Sequence, residues 1–211
     1  GLLFLGLASI LFLAASIYAV GYLRAETKDA HADFVAGVVF LNAPERIFTA
    51  CLLFFLASMS LVCLARHLGL LWVGVECTTL ASAPLIYFHR HQRSLEATWK
   101  YLLICSVGIA FALMGLMLVS YAVAGNSASL HLDALMAHAT AMRPRWLRMA
   151  FVFLVVGYGC KMGLAPMHHW LPDAHSEAPS LVSALLSGAL LNCAFLGIIR
   201  GHQLCVAAGL A

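Results

Sequence analysis

Apolar residues run along this chain in long blocks, separated by short polar breaks. A bilayer hydrocarbon core of about 30 Å needs roughly 20 apolar residues as a helix. On that measure about six stretches qualify as spans: residues 2–23, 47–65, 68–88, 99–124, 149–170 and 180–199. The predicted fold is all-α, a polytopic transmembrane helix bundle. Arg66-His67-Leu68 leaves room only for a tight turn, so the second and third spans are antiparallel neighbours. His89-Arg90-His91-Gln92-Arg93 is a basic loop, and Ser94-Leu95-Glu96 reads as the N-terminal cap leading into the fourth span. Residues 24–46 mix charges with an apolar piece, 34–41, too short to cross, which predicts a surface or re-entrant segment. Residues 125–148 form the longest polar connection and end in Arg143, Arg145 and Arg148.

Composition agrees with the pattern. Of 211 residues 63% are hydrophobic and 10% charged, with mean hydropathy +0.94. A soluble domain runs near 45–50% apolar and about 25% charged, so this is an integral membrane protein. The net charge of +3 is small and its Lys and Arg residues are scattered, which excludes a nucleic-acid footprint. Their even spread over the loops gives no orientation by the positive-inside rule. Seven cysteines lie inside apolar segments without C-x-x-C spacing and read as small buried hydrophobes, not as disulfides or cluster ligands. The chain starts at Gly1 without a signal peptide and stops at Ala211 inside an apolar stretch, so a piece of a longer polypeptide is expected.

Two ionisable residues stand well inside the spans: Glu76 in the third and Lys161 in the fifth. Those spans run the same way. At 1.5 Å per residue both groups sit roughly 12 to 18 Å from one face. A charged side chain at bilayer centre costs roughly 2.5 to 3.5 kcal/mol on insertion scales, so the default reading is a functional site with a partner. Matched depth and opposite sign suit an ion pair or a proton switch, because each charge holds the other ionised while burial discharges both. A fixed pair pinning two helices is the alternative. Pro166 lacks the N–H that would bond to the carbonyl of Met162, and Gly163 softens the same stretch. A broken helix between Lys161 and Pro166 follows. Such a break at membrane depth is tolerated where it is buried in protein or lines a watery cavity.

Beyond the break come His168, His169, Trp170, Asp173, His175 and Glu177. Their spacing does not suit zinc, so no metal is assigned. A proton-collecting vestibule or an interfacial Trp-and-His belt are the two readings. Lys100 and Glu96 form an i, i+4 pair, either a surface salt bridge or a feeder at a channel mouth.

The run YGCKMGLAPMHHWLPDAHSEAPSLVSALLSGALL resembles the signature of the antiporter-like, proton-conducting membrane subunits shared by respiratory complex I, Mrp-type cation/proton antiporters and membrane-bound hydrogenases. LWVGVECTTLASAPLIYFHRHQRSLEATWKYLLICSVGIA fits the same family, with wording similar to its hydrogenase-4 and formate-hydrogenlyase branch. The resemblance covers most of residues 52–200. It implies a first span and connection in residues 1–46, a five-helix antiporter-like repeat in 47–200, and the start of a further segment in 201–211. It places Glu76 at the family's mid-membrane glutamate, Lys161 at the lysine of the broken helix, and His168 at the histidine of the P-x-H-x-W-L-P-D-A-H run. Asn192 falls where many relatives carry a second lysine or a histidine.

The function implied is proton translocation within a redox complex of the inner membrane, of the hydrogenase or NADH–quinone oxidoreductase kind. The chain itself would hold no cofactor; electron transfer would belong to partner membrane subunits and a peripheral hydrogenase or dehydrogenase arm. A secondary Na⁺/H⁺ antiporter subunit of Mrp type, without redox coupling, is the rival. A third reading is a structural subunit with a fixed Glu76–Lys161 pair.

Overall fold

In lipid the backbone must satisfy its own hydrogen bonds, so apolar runs of this length become helices. The computed structural model describes residues 1–26, 31–33, 38–40, 42–123 and 129–210. In chain order these are α1 (Leu2–Glu26), a two-stranded antiparallel pair β1 (His31–Asp33) and β2 (Val38–Phe40), then α2 (Glu45–Leu64), α3 (Leu68–Ile86) and α4 (Gln92–Ala122). After them come α5 (Leu132–Ala137), a 3-10 turn (Ala139–Ala141), α6 (Pro144–Met162), α7 (Trp170–Glu177) and α8 (Ser180–Leu185). A π-helical stretch (Leu186–Leu190) leads without a break into α9 (Leu191–Ala207). Of the 24–46 connection, expected to be a surface or re-entrant segment, residues 27–30, 34–37 and 41 lie outside the described residues.

Among the described residues five helices are long and apolar enough to cross a membrane: α1, α2, α3, α4 and the rod Ser180–Ala207. The expected fifth span is α6. It begins earlier than the hydropathy indicated, at Pro144, takes in Arg145, Arg148 and Lys161, and stops at Met162. It lies against α4 and α9 and so belongs to the bundle by packing. The last helix continues past residue 199 to Ala207.

Two helix starts use imidazoles as caps. His67 accepts from the backbone N–H groups of Gly69 and Leu70 at 3.1 and 3.3 Å, and His91 accepts from that of Ser94 at 3.3 Å. The fourth span's cap is therefore His91, with the helix starting at Gln92 rather than at the expected Ser94-Leu95-Glu96. A ring nitrogen satisfies the orphan donors of the first turn as a serine oxygen would.

Helices in lipid gain no hydrophobic drive from meeting one another, so small residues that let backbones approach decide the contact. α4 and α6 form the most extensive pair. A Cβ built on Gly157 of α6 would run into the backbone nitrogen of Ala112 and stand 2.7 Å from the carbonyl of Gly108, both on α4. At the other end of this seam Gly115 faces the Ala150 carbonyl and Leu154. α3 is tied to α4 by the Trp72 indole, which donates to the Ile109 carbonyl at 2.8 Å. α3, α4 and α6 thus fix the frame on which the buried polar groups sit.

Candidate functional site

α6 ends one residue after Lys161 and one before Gly163, whose φ of 79° is the left-handed conformation that favours glycine. The Gly163 N–H bonds to the Cys160 carbonyl at 3.2 Å and the Leu164 N–H to the Gly159 carbonyl at 2.9 Å. This is the paired closure of a Schellman motif. The break was expected from Pro166, but the helix has already closed at Gly163 before the proline is reached. Fully buried Trp170 completes the end, its indole donating to the Cys160 carbonyl at 3.0 Å.

Lys161 has no exposed surface. Its Nζ donates to Thr79 Oγ1 on α3 at 2.8 Å and to Tyr101 Oη on α4 at 2.6 Å, and lies 4.5 Å from the centroid of the Tyr101 ring. Tyr101 Oη is 2.7 Å from Ser82 Oγ, which in turn donates to the Thr78 carbonyl at 2.7 Å. Thr78, Thr79, Ser82 and Tyr101 are all fully buried. The indole ring of Trp170 closes over Tyr101 with centroids 5.0 Å apart.

Glu76 does not meet Lys161 as an ion pair. Its Oε2 lies 3.5 Å from Thr79 Oγ1, and its Oε1 accepts from Ser106 Oγ of α4 at 3.3 Å. The Thr79 hydroxyl stands between them, 2.8 Å from Lys161 Nζ and 3.5 Å from Glu76 Oε2.

The other expected residues lie apart from this centre. Lys100 pairs with Glu96 Oε1 at 2.8 Å and with Asp173 Oδ2 at 2.9 Å, so the i, i+4 pair is present and also straps α7 to α4. These groups, with Arg93, Ser176 and Glu177, line a polar groove of about 190 Å³. His91 Nε2 lies 3.3 Å from Glu177 Oε2 in the same region. His168 is exposed and stacks on His169 with ring centroids 5.4 Å apart. His175 Nδ1 lies 2.5 Å from Ser183 Oγ, and burial pushes its imidazole below the ordinary histidine range. Asn192 donates from Nδ2 to the Gly188 carbonyl of the π-helical stretch at 2.7 Å, so its amide is held on its own helix. Among the described residues no three His, Cys, Asp or Glu side chains are grouped as metal ligands. All seven cysteines are free thiols.

Sequence reasoning missed Thr79, Ser82, Tyr101, Ser106 and Arg200. Thr79 stands three residues after Glu76, on the same helical face, and that spacing could have found it. Arg200, only 7% exposed, donates to the Ala65 and Cys63 carbonyls and so occupies orphan acceptors at the end of α2. Arg200→Met keeps the apolar stem and removes those donors. The expected cost is about 1–3 kcal/mol for the carbonyls left unpaired, read as a lower unfolding midpoint in detergent; an unchanged midpoint would remove the capping role.

Residues 65–210 match the family model for the transmembrane region of NADH:quinone oxidoreductases and Mrp antiporters. The chain belongs to this family. It is 40% identical over 149 residues to a hydrogenase-4 component F homolog of Methylacidiphilum infernorum, covering 69% of this chain and 31% of that protein. It is 32% identical over 165 residues to NADH-quinone oxidoreductase subunit N of Deinococcus radiodurans, covering 77% and 33%. The chain thus spans about a third of the length of these curated relatives. Among solved structures it superposes on a chain of respiratory complex I from Thermus thermophilus with a TM-score of 0.65 at 25% identity, covering 92% of this chain and 47% of that one. This antiporter-like subunit family is a membrane family, in keeping with the apolar helices of the bundle.

Proposed function

We propose that this antiporter-like chain translocates protons within a redox-driven membrane complex of the hydrogenase or NADH–quinone oxidoreductase kind. Lys161 carries the proton, and Glu76 tunes the affinity of Lys161 for it. The observation that supports this most is a fully buried lysine held only by neutral hydroxyls, one of which also reaches a carboxylate. A lysine fixed for structure alone would gain most from a direct carboxylate contact. Hydroxyls both donate and accept, so they hold an amine as readily as an ammonium.

The redox assignment leans on the two relatives, a hydrogenase-4 component and an NADH-quinone oxidoreductase subunit. Electron transfer is assigned to partner subunits, including a peripheral arm, and the complex to the cell's inner membrane. Onward movement of the proton goes through water, because Asn192 cannot titrate and its amide is turned onto Gly188. Lys100, His168 and His175 belong to the entry side of this scheme.

Glu76→Gln keeps the shape and the hydrogen-bonding capacity of the side chain but removes its charge. In vesicles carrying the native complex it is expected to slow proton uptake about tenfold or more with the complex still assembled. Loss of assembly with a normal rate per assembled complex would favour the structural reading. Proton movement that requires Na⁺ and no electron donor would favour antiport.

A further inference from the structure

We infer that Thr79 is the relay hydroxyl through which a proton passes between Lys161 and Glu76. The inference rests on Lys161 being the proton carrier. Two hydroxyls accept from Lys161, and they lead to different ends. The Tyr101 branch runs to Ser82 and stops on the Thr78 carbonyl, a backbone oxygen that does not take up a proton. The Thr79 branch runs to Glu76 Oε2, a titratable oxygen. Tyr101 therefore positions the amine, and Thr79 connects it.

A threonine hydroxyl has one proton to give and lone pairs to receive. With Lys161 donating to it at 2.8 Å, the proton of Thr79 is shared between the Val75 carbonyl at 3.4 Å and Glu76 Oε2 at 3.5 Å. In the transfer, one N–H bond of the Lys161 ammonium breaks as an O–H bond forms on Thr79. The original O–H of Thr79 breaks as one forms on Glu76. The products are a neutral amine, an unchanged threonine and a neutral carboxylic acid, so charge and atoms balance without any co-reactant.

The last leg is long. O–H···O bonds competent for transfer run about 2.5–3.0 Å, so the carboxylate must approach Thr79 by about half an ångström. Its other oxygen is held by Ser106 on α4. Glu76 and Thr79 ride on the same helix, so a turn of the Glu76 side chain that gives up Ser106 would close the link while the bond from Lys161 to Thr79 stays made.

The test measures proton uptake by vesicles carrying the native complex, with Lys161→Met, Thr79→Val and Thr79→Ser compared against the unaltered chain. Valine keeps the volume and removes the hydroxyl. Serine keeps the hydroxyl. The expected result is a loss of about tenfold or more for Thr79→Val and a rate within about twofold of normal for Thr79→Ser. A role that rests on the threonine methyl or on volume alone would be kept by valine and not rescued by serine. Normal uptake in Thr79→Val beside a silent Lys161→Met would overturn the relay and leave the lysine's role standing. Normal uptake in Lys161→Met would overturn both. Should Thr79→Val fail to assemble, Thr79→Cys carries the same test, since a thiol of similar size is a weak donor and acceptor: a depressed rate supports the relay and a normal one overturns it.

Discussion

Lys161→Met is expected to stop proton movement while leaving the protein folded and assembled. Methionine is close to lysine in length and fills the same volume between α3, α4 and α6. Two energies change in opposite directions. The contact of the ammonium with the Tyr101 ring, at 4.5 Å, is lost, and such contacts reach about 2 kcal/mol when desolvated. The burial of a charge at membrane depth, which costs roughly 2.5 to 3.5 kcal/mol, is also removed. These oppose one another, and the two hydrogen bonds from the ammonium are lost as well. Tyr101 keeps Ser82, and Thr79 keeps the Val75 carbonyl, so neither hydroxyl is orphaned. Rate has no such compensation, because no other titratable nitrogen replaces the lost amine at that position. A positioned acid or base contributes about a hundredfold or more to proton transfer, and that is the fall expected in vesicle uptake. Uptake at the normal rate would end the carrier role of Lys161; a complex that fails to assemble would make the lysine structural.

Gly157→Ala is expected to destabilise the fold far more than the addition of one methyl group suggests. The new Cβ would run into the Ala112 nitrogen and lie 2.7 Å from the Gly108 carbonyl. Neither is the tip of a flexible side chain, so α4 and α6 must separate. Overpacking of this kind costs about 1–3 kcal/mol and sometimes more. The separation would also draw Tyr101 from Lys161, since the two residues ride on those helices. Gly21→Ala on α1 is the matched control: nothing lies within 4 Å of its Cβ position, and alanine is the better helix former. Unfolding midpoints in detergent should fall for the first and hold or rise for the second. Equal midpoints would mean that the seam between α4 and α6 is not tight.

The bundle was legible because long apolar blocks leave the backbone few options in lipid. Lys161 and Glu76 were legible because a charge within such a block is costly and so points to a partner. The hydroxyls were not. Thr79 and Ser82 look like ordinary helix residues in the run TTLASAPL, and Tyr101 reads as one more aromatic of a span; only the packing of α3 and α4 against α6 turns them to one point. Arg200 escaped attention because a charge near the end of a span usually reaches water, whereas this one reaches the end of α2. Pro166 illustrates the reverse case. It marked the break correctly but for a different reason, since Gly163 in the left-handed conformation ends the helix first.

The π-helical stretch Leu186–Leu190 behaves as a one-residue insertion in the rod from Ser180 to Ala207. Removing one residue there would restore ordinary α-helical pitch. It would also turn everything beyond it by about 100° relative to what precedes it, since each residue advances the helix by that angle. Arg200 would swing away from the carbonyls of Cys63 and Ala65, and Gly197 away from the Tyr158 ring that now fills the space beside it. The stretch therefore sets the rotational phase of α9, and the wide turn is what lets one rod face α1 at its start and both α2 and α6 near its end.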